Sequence, residues 1–180
     1  MRHGLKEVRL KVNKGKDLIR SSLKVATTAL IATVYSLLTV ALGPLGYSWI
    51  QVRLAEALTP LPFLIGFPAV AGLTLGCIIA NWFSPIGLPD LIFGPLLTLL
   101  AALMSWKFSM KRRLMACVYP VFVNAFGVSA YVSFFYSVPY WISVVTISMG
   151  ELVAAILVGY PLLVAVEKAT TRSEEIKSRT

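Results

Sequence analysis

The sequence predicts an all-α integral membrane protein: a compact bundle of about six transmembrane helices with both termini in the cytoplasm. Three observations carry this. Of 180 residues, 57% are hydrophobic and 14% charged, with a mean hydropathy of +0.78, which is the composition of a chain solvated by lipid. Sixteen of the seventeen Lys and Arg residues fall in three blocks separated by long apolar runs. The blocks are Arg2, Lys6, Arg9, Lys11, Lys14, Lys16, Arg20 and Lys24; then Lys107, Lys111, Arg112 and Arg113; then Lys168, Arg172, Lys177 and Arg179. Finally, the connections near 43–49, 84–88 and 136–139 hold no Lys or Arg. Basic loops stay on the cytoplasmic side, so both termini and Lys111 are expected inside, and Gly46, Gly87 and Pro139 outside. The net charge of +9 is thus a topology signal rather than a nucleic-acid footprint.

The chain divides into a basic cytoplasmic N-terminal tail (1–24), a membrane domain (25–166) and a charged cytoplasmic C-terminal tail (167–180). In the tail, Gly15 interrupts the pattern, and Asp17 is placed to cap a helix entering the first span. Two readings are open for the tail: a helix on the membrane surface with its cations toward anionic headgroups, or a frayed basic segment. The first span covers 25–42 and ends at Gly43-Pro44 and Gly46. It is long for a signal-peptide core and carries Tyr35, Ser36 and four threonines, so it reads as a retained span. Spans two and three, 50–66 and 69–83, are short. Pro60, Pro62 and Pro68 interrupt or bound them, as in broken, tilted or re-entrant helices. Spans four to six cover 89–106, 114–135 and 140–165, with Pro120 expected to kink the fifth. No internal repeat is evident.

Four charged residues lie outside the basic blocks and their flanks: Arg53, Glu56, Asp90 and Glu151. A charge at mid-membrane is unfavourable by roughly 2.5–3.5 kcal/mol, which makes each a site candidate. Arg53 and Glu56 are three apart, on one helix face, and so read either as a self-compensating pair or as part of a site. Glu151, beside Gly150, Ala154 and Ala155, reads as a ligand group, a structural carboxyl or a partner for Arg53. Asn81 and Asn124 each offer donors and an acceptor. Asp90 follows Pro89 at the start of span four, where helix capping is the leading expectation. The topology sets these residues toward the outer half of the bundle, where one outward-opening pocket would collect them. Trp49, Trp82, Tyr131, Phe134, Phe135, Tyr136, Tyr140 and Trp141 crowd that level, some as an interfacial belt and a few as stacking surfaces for a planar ligand.

Cys77 and Cys117 sit in apolar runs and read as small core residues. His3 is the single histidine, so no histidine-based metal site is expected, and no cofactor. There is no P-loop, no H-E-x-x-H and no nucleophile elbow. Catalysis is unsupported, and any ATP hydrolysis belongs to a partner.

Certain segments carry a resemblance. Gln51-Val-Arg-Leu-Ala-Glu-Ala-Leu-Thr-Pro-Leu-Pro-Phe63 resembles the second-span motif of the queuosine-precursor transporter family, the substrate-binding (S) components of energy-coupling factor importers. Gly76 to Asn81, Ser84-Pro85, Gly87 to Asp90, Phe93 to Ala102, Tyr119 to Asn124, Met149 to Leu152 and Gly159 to Leu163 continue the likeness, which runs from about Ala29 to Lys168. The resemblance implies a six-helix S component in the cell membrane that binds a small 7-deazaguanine and works with a transmembrane T component and two ATPases. It also implies that small residues four apart on the first helix dock the T component. Ala29 fits that pattern while Thr33 departs from it, and Thr28 and Ala32 form a neighbouring pair. The residues themselves leave other readings open: an S component for another vitamin-like molecule, or a non-transport scaffold.

Overall fold

The computed structural model describes the backbone of residues 2–43, 53–109 and 112–179, and the side chains of 17–43, 53–109 and 112–173. The expected outer connection at 43–49 lies outside this range apart from Gly43, as do Trp49, the start of span two and Lys111. Among the described residues the chain is helical without a strand.

Helix α1 runs unbroken from Arg2 to Ala41, 40 residues or about 60 Å. That is roughly twice the ~30 Å hydrocarbon thickness. Asp17–Ala41 is long and apolar enough to cross, while the sequence before it carries the basic residues Arg2, Lys6, Arg9, Lys11, Lys14 and Lys16. The basic tail is therefore a helical extension of the first span. Gly15 does not interrupt it, and Asp17 lies inside the helix rather than capping it.

Span two is broken, as its prolines require. A 3₁₀ turn (Leu54–Leu58) leads through Pro60 into the four-residue helix α2 (Pro62–Ile65). Gly66 then adopts φ 76°, a conformation that favours glycine, and a Cβ there would sit 3.3 Å from the Trp106 indole nitrogen. Pro68 lies in the first turn of α3 (Phe67–Asn81), where its missing N–H leaves no bond unmade. Every residue from Ala55 to Pro62 is buried. This fits the rule that irregular backbone at membrane depth survives only where protein covers it.

The remaining helices are α4 (Leu88–Lys107), α5 (Arg113–Tyr136), α6 (Tyr140–Glu151) and α7 (Gly159–Arg179). A π-helical stretch, Leu152–Val158, joins α6 to α7, and the three form one continuous span. Pro95 and Pro120 lie inside α4 and α5 without ending them. Among the described residues four helices are thus long and apolar enough to cross a membrane, and two apolar segments, Leu54–Ile65 and Phe67–Asn81, are shorter.

The tightest seam joins α1 to α3. Gly72 and Gly76 form a G-x-x-x-G pair, the pattern that lets helix backbones touch in lipid. A Cβ on Gly72 would lie 2.8 Å from the Thr28 carbonyl oxygen, and one on Gly76 would lie 2.8 Å from that of Ala32. The Thr28 hydroxyl donates to the Pro68 carbonyl at 3.1 Å. Gly159 similarly brings α7 onto the 3₁₀ turn, 3.0 Å from the Ala57 carbonyl oxygen to a Cβ built there. Around these contacts the core gathers Tyr35, Val70, Leu73, Cys77 and Leu163, all fully buried.

Candidate substrate site

The buried charges of the membrane domain come from α4, α6 and the 3₁₀ turn with the residue before it, and their hydrogen-bond partners come from α1 and α5. Glu56 is on the turn, where Thr59 donates its hydroxyl to the Glu56 backbone carbonyl and Glu56 N–H bonds Arg53 O at 2.9 Å. These local bonds hold Glu56 inward at 2% exposure. Its Oε1 accepts the Tyr35 hydroxyl of α1 at 2.5 Å, while its Oε2 has no hydrogen-bond partner.

Arg53 precedes the turn in extended conformation. Its Nη2 donates to Asp90 Oδ2 at 3.0 Å and to Oδ1 at 3.3 Å. Asp90, fully buried, also accepts the Tyr131 hydroxyl of α5 at 2.5 Å. The expected capping role for Asp90 is therefore not what the fold uses. Gly87 occupies the N-cap of α4 with φ 76°, and no side chain caps the helix. A fully buried guanidinium needs a carboxylate far more than an exposed helix end needs a cap. The expected helical Arg53–Glu56 face is likewise replaced: a 3₁₀ turn starts at Leu54, and Arg53 reaches across to α4.

Glu151 ends α6 at 4% exposure. Its Oε1 accepts the Asn124 amide of α5 at 2.9 Å, and its Oε2 is unpartnered. The π-helical stretch begins at the next residue. Such wide turns are rare and concentrate at functional positions.

Arg53, Glu56, Asn124 and Glu151 line one cavity. Gly94 and Thr98 of α4, Val128 of α5 and Ile147 of α6 complete its walls. Its volume is about 10 Å³, roughly the room of one water.

Two of the expected site residues stand behind this cavity. Asn81 donates to the Asp90 backbone carbonyl at 2.8 Å, in space left by the missing side chain of Gly94. Asp90 anchors Arg53. Of the expected aromatic level, Trp82, Phe134 and Trp141 are 73%, 80% and 70% exposed, as belt residues are. Among those described, Tyr131 is the one that is buried, and it stacks on Phe93 with ring centroids 5.7 Å apart. Tyr35, Thr98 and the π-helical stretch were not anticipated as site features. A tyrosine inside an apolar span, one turn beyond Ile31, was the available signal for Tyr35.

Of the first-helix docking candidates, Thr28 and Ala32 face α3 inside the bundle, whereas Ala29 and Thr33 are exposed.

A model of the QueT transporter family matches residues 25–168. The chain belongs to the QueT transporter family. The match takes in all of α3 to α6 and each of the buried charges described above, from Arg53 to Glu151. With four membrane-length helices, membership makes the chain a multi-pass membrane transport protein rather than an enzyme. No curated protein and no solved structure matches it significantly.

Proposed function

We propose that this QueT-family chain is the substrate-binding S component of an energy-coupling factor importer for a queuosine precursor of the 7-deazaguanine class. The observation that carries the reading is the pair of unpartnered oxygens, Glu56 Oε2 and Glu151 Oε2, on side chains that line one cavity beside the Asn124 amide. Buried acceptors without donors are rare in folded proteins. A deazaguanine presents adjacent N–H donors that one carboxylate accepts as two parallel, charge-assisted bonds. The second carboxylate and Asn124 then serve the remaining donors and the carbonyl. Arg53 and Asp90 hold the 3₁₀ turn against α4, and Asn81 braces Asp90.

A two-ring ligand does not fit in about 10 Å³, so binding draws the walls apart. Val128 and Ile147 offer only apolar contacts to resist this. Transport then needs a transmembrane T component and two ATPases, because the chain has no nucleotide motif. The exposed Ala29–Thr33 face of α1 is the docking surface for the T component, with the basic ends of the spans in the cytoplasm of the cell membrane. Calorimetry on the purified chain tests the reading. A 7-deazaguanine bearing the C7 substituent of a queuosine precursor is expected to bind, with uptake in cells only when the partner subunits are co-expressed. Uptake by the chain alone, or absence of binding by every deazaguanine offered, would sink it.

A further inference from the structure

The membrane domain is out of charge balance. From Val25 to Trp106 and from Leu114 to Glu167 the sequence contains one basic residue, Arg53. The same span holds three fully buried carboxyls: Glu56, Asp90 and Glu151, at 2%, 0% and 4% exposure. Arg53 is ion-paired with Asp90 at 3.0 Å. Arg53 also lines the cavity with Glu56 and Glu151, so one cation faces all three carboxyls; among the described residues the other titratable groups around them are Tyr35 from α1, Cys77 from α3 and Tyr131 from α5. Tyr35 donates to Glu56, Tyr131 donates to Asp90, and the Cys77 sulfur accepts from Thr98. None of these supplies positive charge. The Glu151 neighbour on α5 is a neutral amide, and the π-helical stretch Leu152–Val158 carries no titratable residue.

Among the described residues three buried carboxylates thus share one cation, and an excess of two negative charges around a cavity of about 10 Å³ is strongly disfavoured at membrane depth. Like charges sharing one site cannot both ionise freely. From this count we infer that the empty site binds a proton on the Glu56–Glu151 pair, and that a ligand cation entering the site displaces it. The exchange balances: a carboxylic acid O–H breaks, the proton leaves to bulk water, and the resulting carboxylate pairs with the incoming ammonium. The total charge of the site stays constant. A neutral ligand leaves the proton in place and accepts or donates through it.

This rests on the S-component reading for its ligands but not for the proton itself. The test uses the purified full chain and two probes of equal ring chemistry, a 7-aminomethyl-7-deazaguanine (a cation) and the corresponding 7-cyano compound (neutral). Calorimetry in buffers of different ionisation enthalpy counts the protons. About one proton is expected to leave per bound cation and none per bound nitrile. Affinity for the cation should rise about tenfold per pH unit while the pair is protonated, and affinity for the nitrile should stay flat. Cation binding without proton release overturns the inference, as does equal release by both probes. If neither probe binds, the deazaguanine reading fails, and the proton is read in the ligand-free protein by infrared spectroscopy. A protonated-carboxyl C=O band is expected at neutral pH in the unmodified chain, and it should disappear in the Glu56→Gln/Glu151→Gln double variant. Absence of that band from the unmodified chain overturns the inference without any ligand.

Discussion

Two ion pairs in this molecule have similar chemistry and different consequences. Arg113 and Glu167 join α5 to α7 at 2.7 Å, with side chains 47% and 31% exposed. Arg53 and Asp90 join the approach to the 3₁₀ turn with α4 at 3.0 Å, with side chains 7% and 0% exposed. The exposed pair is the shorter, and its second contact, Arg113 Nη2 to Glu167 Oε1 at 3.0 Å, makes it bidentate. Distance alone would rank it first. Solvation reverses the ranking. Water screens the outer pair and hydrates either partner if the other is lost. The inner pair has no such reserve, so removing one partner strands a buried charge.

Asp90→Asn is accordingly expected to have the largest effect, a destabilisation of ~3–5 kcal/mol. It should appear as a marked fall in the thermal melting temperature of the purified chain. Melting close to that of the unmodified protein would break the comparison. An apolar double replacement, Arg53→Met with Asp90→Leu, sharpens it by recovering part of the lost stability, because no charge is then stranded.

The next effect is on ligand binding. Glu151→Gln keeps size but turns an acceptor into a donor. It should remove a charge-assisted bond of roughly 1.5–3 kcal/mol and lower deazaguanine affinity about tenfold to a hundredfold. A folded variant with unchanged affinity by calorimetry would reduce Glu151 to a helix bridge through Asn124.

A third expectation concerns the two faces of α1. Gly76→Leu drives a Cβ to within 2.8 Å of the Ala32 carbonyl oxygen and should destabilise the fold by about 1–3 kcal/mol. Ala29→Trp, on the exposed face, should leave melting and ligand affinity intact while abolishing co-purification with the T component. If Ala29→Trp unfolds the chain, or co-purifies normally, that face is not the docking surface. The smallest effect belongs to the outer pair: Arg113→Ala should leave the melting temperature within experimental scatter. A large fall there would mean that exposure had been misread as weakness.

Much of this was legible in the sequence because it depends on composition and short-range spacing. Apolar runs between basic blocks set the helical membrane class, and the long helices α4 and α5 lie within a few residues of the expected spans. Pro60 and Pro62 marked where span two breaks and Pro68 where α3 begins, since a missing N–H acts locally. Four charges in apolar surroundings marked the polar core for the same reason: their cost is intrinsic.

What only the tertiary structure decided is which groups meet. Asp90 read as a cap because its neighbours in sequence include a helix start, and it became the counter-charge of Arg53 because α4 packs beside the turn. Asn81 read as one of the polar groups that a single pocket would collect, and the fold sets it behind the cavity, bonded to the Asp90 backbone. Tyr35 read as a polar residue of the first span and Tyr131 as a belt or stacking aromatic until the helices placed their hydroxyls on Glu56 and Asp90. Thr28–Ala32 and Ala29–Thr33 are adjacent small pairs that sequence could not rank, yet Gly72 and Gly76 cover the first pair and leave the second bare. The reason is common to all of these. In lipid, an apolar side chain is nearly as comfortable against an acyl chain as against another helix, so hydropathy says that a residue is in the membrane and not what it faces. That choice is made by close backbone approach and by the need of buried polar groups for partners, and both exist only once the helices have packed.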